Sequence, residues 1–219
     1  MRNRVWGAAV AACAALAMAG CHQAGTGTTP SVPPSFPSSS SAVPAYTSPA
    51  PATQVPGPDA PGNIVPVHDP GQVTGTLTGP CHMTGTYPDQ LPDQRCTPGS
   101  YDPAVTQANI HSTICVSGYT AKVRPPVSQT NAFKFNEAYP AYYLTVTVKT
   151  ELDHLIALEI GGSNAAQNLW PEIPPSYNPK DAVEAALHSA VCSGKITLRA
   201  AQVAIAANWT TAEGVLGLK

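Results

Sequence analysis

Glu151-Leu152-Asp153-His154-Leu155-Ile156-Ala157-Leu158-Glu159-Ile160-Gly161-Gly162, followed shortly by Asn168-Leu169-Trp170-Pro171-Glu172, is the stretch on which the reading of this chain turns. An Asp-His pair ends one strand, two glycines permit a tight reversal, and an Asn-Leu pair follows. Chance rarely assembles that combination. A zinc-protease reading of His154 through Glu159 does not hold, because the His-Glu-x-x-His spacing is missing and Gly161-Gly162 would break the helix such a site needs.

Upstream, Tyr142 to Val148 alternates β-branched and polar residues, which predicts a strand. Tyr119 to Val123 predicts a short strand halted by Pro125-Pro126, while Val105 to Cys115 and Thr130 to Tyr139 read as short helices. Cys81 to Tyr101, rich in Pro, Gly, Asp and Thr, reads as loop. Downstream, Pro179 suits a first helical position, and Val183, Leu187 and Val191 repeat every four residues until Gly194. Thr197 offers the N-cap of a second helix in which Leu198, Ala201, Ile205 and Trp209 share a face. The expected fold class is α+β, ending in a helical hairpin.

At the N-terminus, Arg2 and Arg4 precede an uncharged apolar run from Val5 to Gly20, a secretory layout too short for a stable membrane span. Leu16-Ala17-Met18-Ala19-Gly20-Cys21 resembles the lipobox of bacterial lipoproteins, which implies cleavage before Cys21 and a lipid on its thiol. The plainer reading is an ordinary signal peptide cut nearby. Ten of the 24 prolines fall between Thr29 and Pro61, where only Asp59 is charged, so this segment cannot bury enough apolar surface to offset its ordering entropy. The expected organisation is a signal peptide over 1–20, a lipid-anchored spacer over 21–75 and one domain over 76–219. The protein would be exported and held at the outer face of the cell membrane or envelope, contacting the membrane through lipid alone.

Six cysteines are present. Cys13 would leave with the signal and Cys21 would carry lipid, so Cys81, Cys96, Cys115 and Cys192 remain, enough for two disulfides in three connectivities. Loop closure and chain order favour Cys81 with Cys96 and Cys115 with Cys192. A structural zinc site is the competing reading, weakened by the lack of a Cys-x-x-Cys pair. Once Arg2 and Arg4 are gone, nine basic residues face thirteen acidic ones, a net charge of −4. No basic footprint for nucleic acid is visible in that balance.

The central stretch resembles the HNH (ββα-metal) endonucleases. More closely, it is similar to exported actinobacterial-type proteins in which the same motif follows a Cys-Thr-Pro-Gly and a Val-Arg-Pro-Pro segment, present here at Cys96 to Gly99 and Val123 to Pro126. The trailing Leu187-His188 and Val191-Cys192-Ser193-Gly194 extend the likeness from about Cys96 to Trp209. The resemblance implies a small ββα-metal motif within a disulfide-stapled domain and a metal-dependent hydrolase cutting DNA or RNA. His154 matches the general base and Asp153 a ligand of one divalent ion: magnesium, manganese or zinc. Asn168 matches the Asn that bridges the hairpin loop and in some members orients the base.

The remaining ligand should come from the following helix, where Glu184 and His188 lie four apart on one face. His188 is the first choice and Glu184 the second. Family members place this ligand about nine residues after the bridging Asn, a place held here by Tyr177, so Trp170 to Pro179 must loop out as an insertion. Plainer readings stand beside these: Asp153 and His154 as a structural pair, Glu184 as the i,i+4 partner of Lys180, and His188 as a packing residue. Single histidines such as His82 and His111 read as structural or surface groups. Acidic charge and altered spacing also motivate a second function, a non-catalytic surface module on a degenerate nuclease scaffold.

Overall fold

A computed structural model describes residues 64–219. The expectations for the signal peptide, for Cys21 and for the spacer up to residue 63 lie outside the described residues. The described part is α+β, with two two-stranded sheets among helices. No helix among the described residues is long and apolar enough to cross a membrane.

Strand β1 (Val65–Pro66) pairs in parallel with β2 (Ser100–Tyr101). Ile64 and Asp69 are buried, and Asp69 accepts hydrogen bonds from Thr74 and the Asn164 backbone. Folded structure therefore extends N-terminal to Thr76, the boundary expected from composition. A Pro/Gly-rich segment is held here by long-range partners that local composition does not reveal.

Two expected strands are corrected. Tyr119–Val123 forms a short helix, α1, opened by Gly118 in the left-handed region and closed before Pro125. Five residues with mixed polarity satisfy either period, and only the stop signal was decisive. Tyr142 to Val148 forms turns: Leu144 N donates to Tyr139 O, Val148 N donates to Thr145 O, and Val146 lies exposed. Strand-like alternation without a ladder partner does not make a strand. Helix α2 (Val127–Phe133) starts earlier than expected, directly after Pro126, and runs through a π turn (Lys134–Ala138) into α3 (Tyr139–Ala141). Val105 to Cys115 holds a 3₁₀ helix over Gln107–Ser112.

The central hairpin is β3 (Glu151–His154) antiparallel to β4 (Leu169–Glu172), with Glu151 opposite Glu172 and His154 opposite Leu169. Two features hold its loop. A Cβ on Gly162 would lie 1.7 Å from Ile156 O, so only glycine fits. Asn168 spans the loop, donating through Nδ2 to Ile156 O and Ser163 O while Oδ1 accepts from Ile156 N and Ser100 N. All four hydrogen-bonding positions of that buried amide are satisfied. The expected insertion is shorter than predicted: Trp170, Pro171 and Glu172 are buried within β4, and 173–178 make the connection.

Helix α4 (Pro179–Cys192) begins at a capping box formed by Asn178 and Asp181, with Pro179 in the first turn. Helix α5 (Leu198–Asn208) is capped by Thr197, whose Oγ1 accepts from Ala200 N. Val183, Leu187 and Val191 join Leu198, Ala201, Ile205 and Trp209 in one buried core. A short helix α6 (Ala212–Val215) follows a 3₁₀ turn over Trp209–Thr211.

Disulfides join Cys81 to Cys96 and Cys115 to Cys192, closing separations of 15 and 77 residues. Loop closure of that size contributes about 3 and 4.5 kcal/mol in the chain-entropy treatment. With all four sulfurs paired, no thiolates remain among them for a zinc site. Two disulfides in one domain suit an oxidising environment outside the cytoplasm.

Candidate functional site

His154 closes β3 with its ring almost wholly buried. Its Nε2 lies 2.9 Å from Asn164 Oδ1. The Asn164 amide cannot turn, because Nδ2 donates to both Asp69 O and Val123 O and the Asn164 backbone N donates to Asp69 Oδ1. Its oxygen therefore faces the imidazole, so Nε2 carries the proton and Nδ1 keeps the lone pair. Burial pushes the imidazole down to about 4, against smaller opposing effects of Asn164 and Asp153. The ring is neutral at neutral pH, the state a general base requires.

Asp153 precedes it on the other face of the strand. Both hydrogen bonds to its carboxylate arrive at Oδ2, from Trp170 Nε1 at 2.9 Å and from the Lys180 ammonium at 2.8 Å. Lys180 is wholly buried in the first turn of α4 and also donates to His154 O and Glu184. Three donors meet three acceptors. Burial works against the ammonium, but Asp153, Glu184 and Glu172 outweigh it and hold the charge in place.

Burial and nearby like charge push the carboxylates the other way. Glu151 rises to about 7, through burial and then Asp153. Glu184 also rises to about 7, through burial with Lys180 opposing it. Glu172 rises to about 10, through burial and then Asp153.

Glu151, Asp153, His154, Glu184, Arg124 and Thr120 line one polar cavity of about 330 Å³. Arg124 lies near enough for its charge to depress the imidazole further. Such a cavity offers an uncharged base, one exposed guanidinium suited to a phosphate, and a wall of carboxylates.

Of the residues singled out from the sequence, Asp153, His154 and Glu184 share this cavity. Asp153 and Glu184 reach the same Lys180 ammonium, so the i,i+4 pairing of Glu184 with Lys180 is present. His188 does not line the cavity: its Nε2 lies 3.0 Å from Ile114 O, one helical turn past Glu184 and beside the Cys115–Cys192 disulfide. Asn168 holds the loop and makes no bond to His154. The residue that orients the imidazole is Asn164, which the sequence reading missed; its signal was the position directly after Gly161-Gly162-Ser163. Glu151 and Glu172 were also missed, although β3 alternation puts Glu151 on the face of Asp153 and the hairpin register sets Glu172 opposite it.

An ion held by Asp153, Glu184 and His188, the set implied by the resemblance, does not suit this arrangement, because an ammonium stands between the first two and the third is elsewhere. Asp153 does converge with Glu151 and Glu172, one oxygen from each lying within 4.8 Å of the others. No protein-family model matches the chain, and no curated protein or solved structure was found to be similar to it.

Proposed function

We propose that the domain is a metal-dependent nuclease of HNH type, hydrolysing phosphodiesters of DNA or RNA outside the cytoplasm, on a chain exported and lipid-anchored through Cys21. The observation that carries the reading is the pairing of His154 with Asn164, which leaves a neutral imidazole with an unprotonated Nδ1 on a residue that lines the same cavity as Arg124 and Asp153. The order β3, β4, α4, with Asp153-His154 ending the first strand, supports the HNH assignment.

In this reading His154 Nδ1 accepts a proton from water as the water oxygen bonds to phosphorus. The P–O bond to the departing sugar oxygen then breaks, and that oxygen takes a proton from solvent. Arg124 binds a phosphate oxygen and orients the group for attack. A divalent ion supplies neutralisation of the phosphate and of the departing oxygen when bound. Lys180 positions Asp153 from beneath, since it is buried and cannot touch substrate.

The test is cleavage of plasmid DNA and of RNA by the oxidised chain with magnesium, manganese or zinc, with chelator, and beside His154→Ala. Metal-dependent cutting lost in the variant supports the reading. A folded, disulfide-bonded protein that cuts neither polymer with any ion rejects it. One observation favours a second reading, the non-catalytic surface module: Lys180 neutralises Asp153 and Glu184, two of the expected ligands.

A further inference from the structure

The face of the β3–β4 hairpin carries a charge arrangement that its own contacts leave incomplete. Glu151 and Glu172 sit directly opposite each other across the strands, and Asp153 follows two residues later on the same face. Carboxylates placed this way oppose pairing when ionised, so without a cation they retain protons. Lys180 is the nearby ammonium, and its three donors go to Asp153 Oδ2, Glu184 and His154 O. It donates to neither Glu151 nor Glu172.

Glu172 is the telling member. It is 2% exposed, and its Oε2 has no hydrogen-bond partner among the described residues. A buried carboxylate oxygen without a donor loses its hydration with nothing in return, whereas a paired one is net favourable. Glu172 nonetheless belongs to a group with Glu151 and Asp153 in which one carboxylate oxygen from each lies within 4.8 Å of the others. The other two carboxylates are partly satisfied on one side: Asn178 Nδ2 donates to Glu151 Oε1, and both bonds to Asp153 arrive at Oδ2.

We propose that Glu151, Asp153 and Glu172 form a binding site for one hard divalent cation, built on the strands of the hairpin and not on the following helix. Three carboxylate oxygens at this separation surround a single ion at ordinary metal–oxygen distances. An all-oxygen donor set selects magnesium, manganese or calcium over zinc. Glu151 and Asp153 line the cavity, so the ion has an entry path and open positions for water or a phosphate oxygen, while Glu172 closes the site from below. Trp170, donating to Asp153 from within β4, and Asn178, donating to Glu151, fix two of the ligands from outside the site. The site deepens the hydrolase reading by naming where its ion sits; cation binding itself stands without any hydrolysis.

The test reads binding, not cleavage. The full chain is titrated with manganese, the free ion being followed by electron paramagnetic resonance, and thermal unfolding is recorded with manganese, calcium or chelator. One bound manganese per chain is expected, with a saturable rise in Tm of about 5 °C. Glu172→Gln should weaken binding at least tenfold and abolish the rise, and Glu184→Gln should retain both. Glu151→Gln, at a half-buried position, gives the same answer if the Glu172 variant does not fold. No bound manganese, or Glu172→Gln binding manganese as tightly as Glu184→Gln, overturns the site. Binding without cleavage of any nucleic acid leaves the site standing and removes the nuclease.

Discussion

Asn164 Oδ1 lies 2.9 Å from His154 Nε2, and both hydrogens of that amide are committed to backbone carbonyls 41 and 95 residues away in sequence. The imidazole tautomer is thus set by three chain segments that meet only in the folded state. Orientation of this kind limits the ring to one proton-accepting nitrogen before substrate arrives.

Asn164→Asp should raise the His154 pKa well above about 4, because a carboxylate beside Nε2–H stabilises the imidazolium. If the chain cleaves nucleic acid, the acid limb of its pH–rate profile should move up with it, while KM changes little. Proton NMR of the imidazole resonances checks the shift, and an unmoved His154 would separate Asn164 from the base.

Lys180→Met should destabilise the fold by about 3 to 5 kcal/mol, since it strips the ammonium from Asp153 and Glu184 while leaving their charges buried. Urea unfolding with chelator present measures this. The companion Lys180→Met/Glu184→Gln variant should recover part of the loss, because one stranded charge is removed with the ammonium.

Stability in chelator should fall as pH rises above about 6.5. Glu151 and Glu184, raised to about 7, and Glu172, raised to about 10, hold protons that the unfolded chain has released above 4.5, so their contribution is present at low pH and lost through those values. His154, lowered to about 4 from 6.5, acts oppositely, losing stability only as pH falls between those limits. The urea midpoint from pH 6.5 to 9 should therefore decline in the parent chain and flatten in Glu172→Gln. A midpoint that rises over that range contradicts the assignment.

Gly162→Ala should abolish folding or cost more than about 3 kcal/mol, because the new Cβ would meet Ile156 O at 1.7 Å and the loop backbone would have to move. Gly194→Ala meets no atom within 4 Å and should show only the smaller strain of a positive φ. Denaturation midpoints of the two variants distinguish close approach from backbone conformation.

The α4–α5 region was legible residue by residue. Asn178 and Thr197 cap, Pro179 opens and Gly194 follows the stop, all through contacts within a few residues. The Asp-His, Gly-Gly and Asn-Leu elements likewise located the hairpin, because a tight reversal needs glycine and a buried loop needs an amide to close it. Tyr119 to Val123 and Tyr142 to Val148 misled for one reason: short alternation states a preference, and whether a partner strand exists is decided elsewhere.

The sequence by itself determined helices α4 and α5, the hairpin and the identity of its Asp-His pair, since each depends on local backbone chemistry. Tertiary structure alone decided which groups surround that pair. Asn164 displaced Asn168 as the partner of His154, Lys180 came between Asp153 and Glu184, His188 turned to Ile114, and Glu172 met Glu151 across the strands. Those outcomes follow from register, helix phase and long-range burial, which join residues far apart in sequence and set electrostatics that no local pattern encodes.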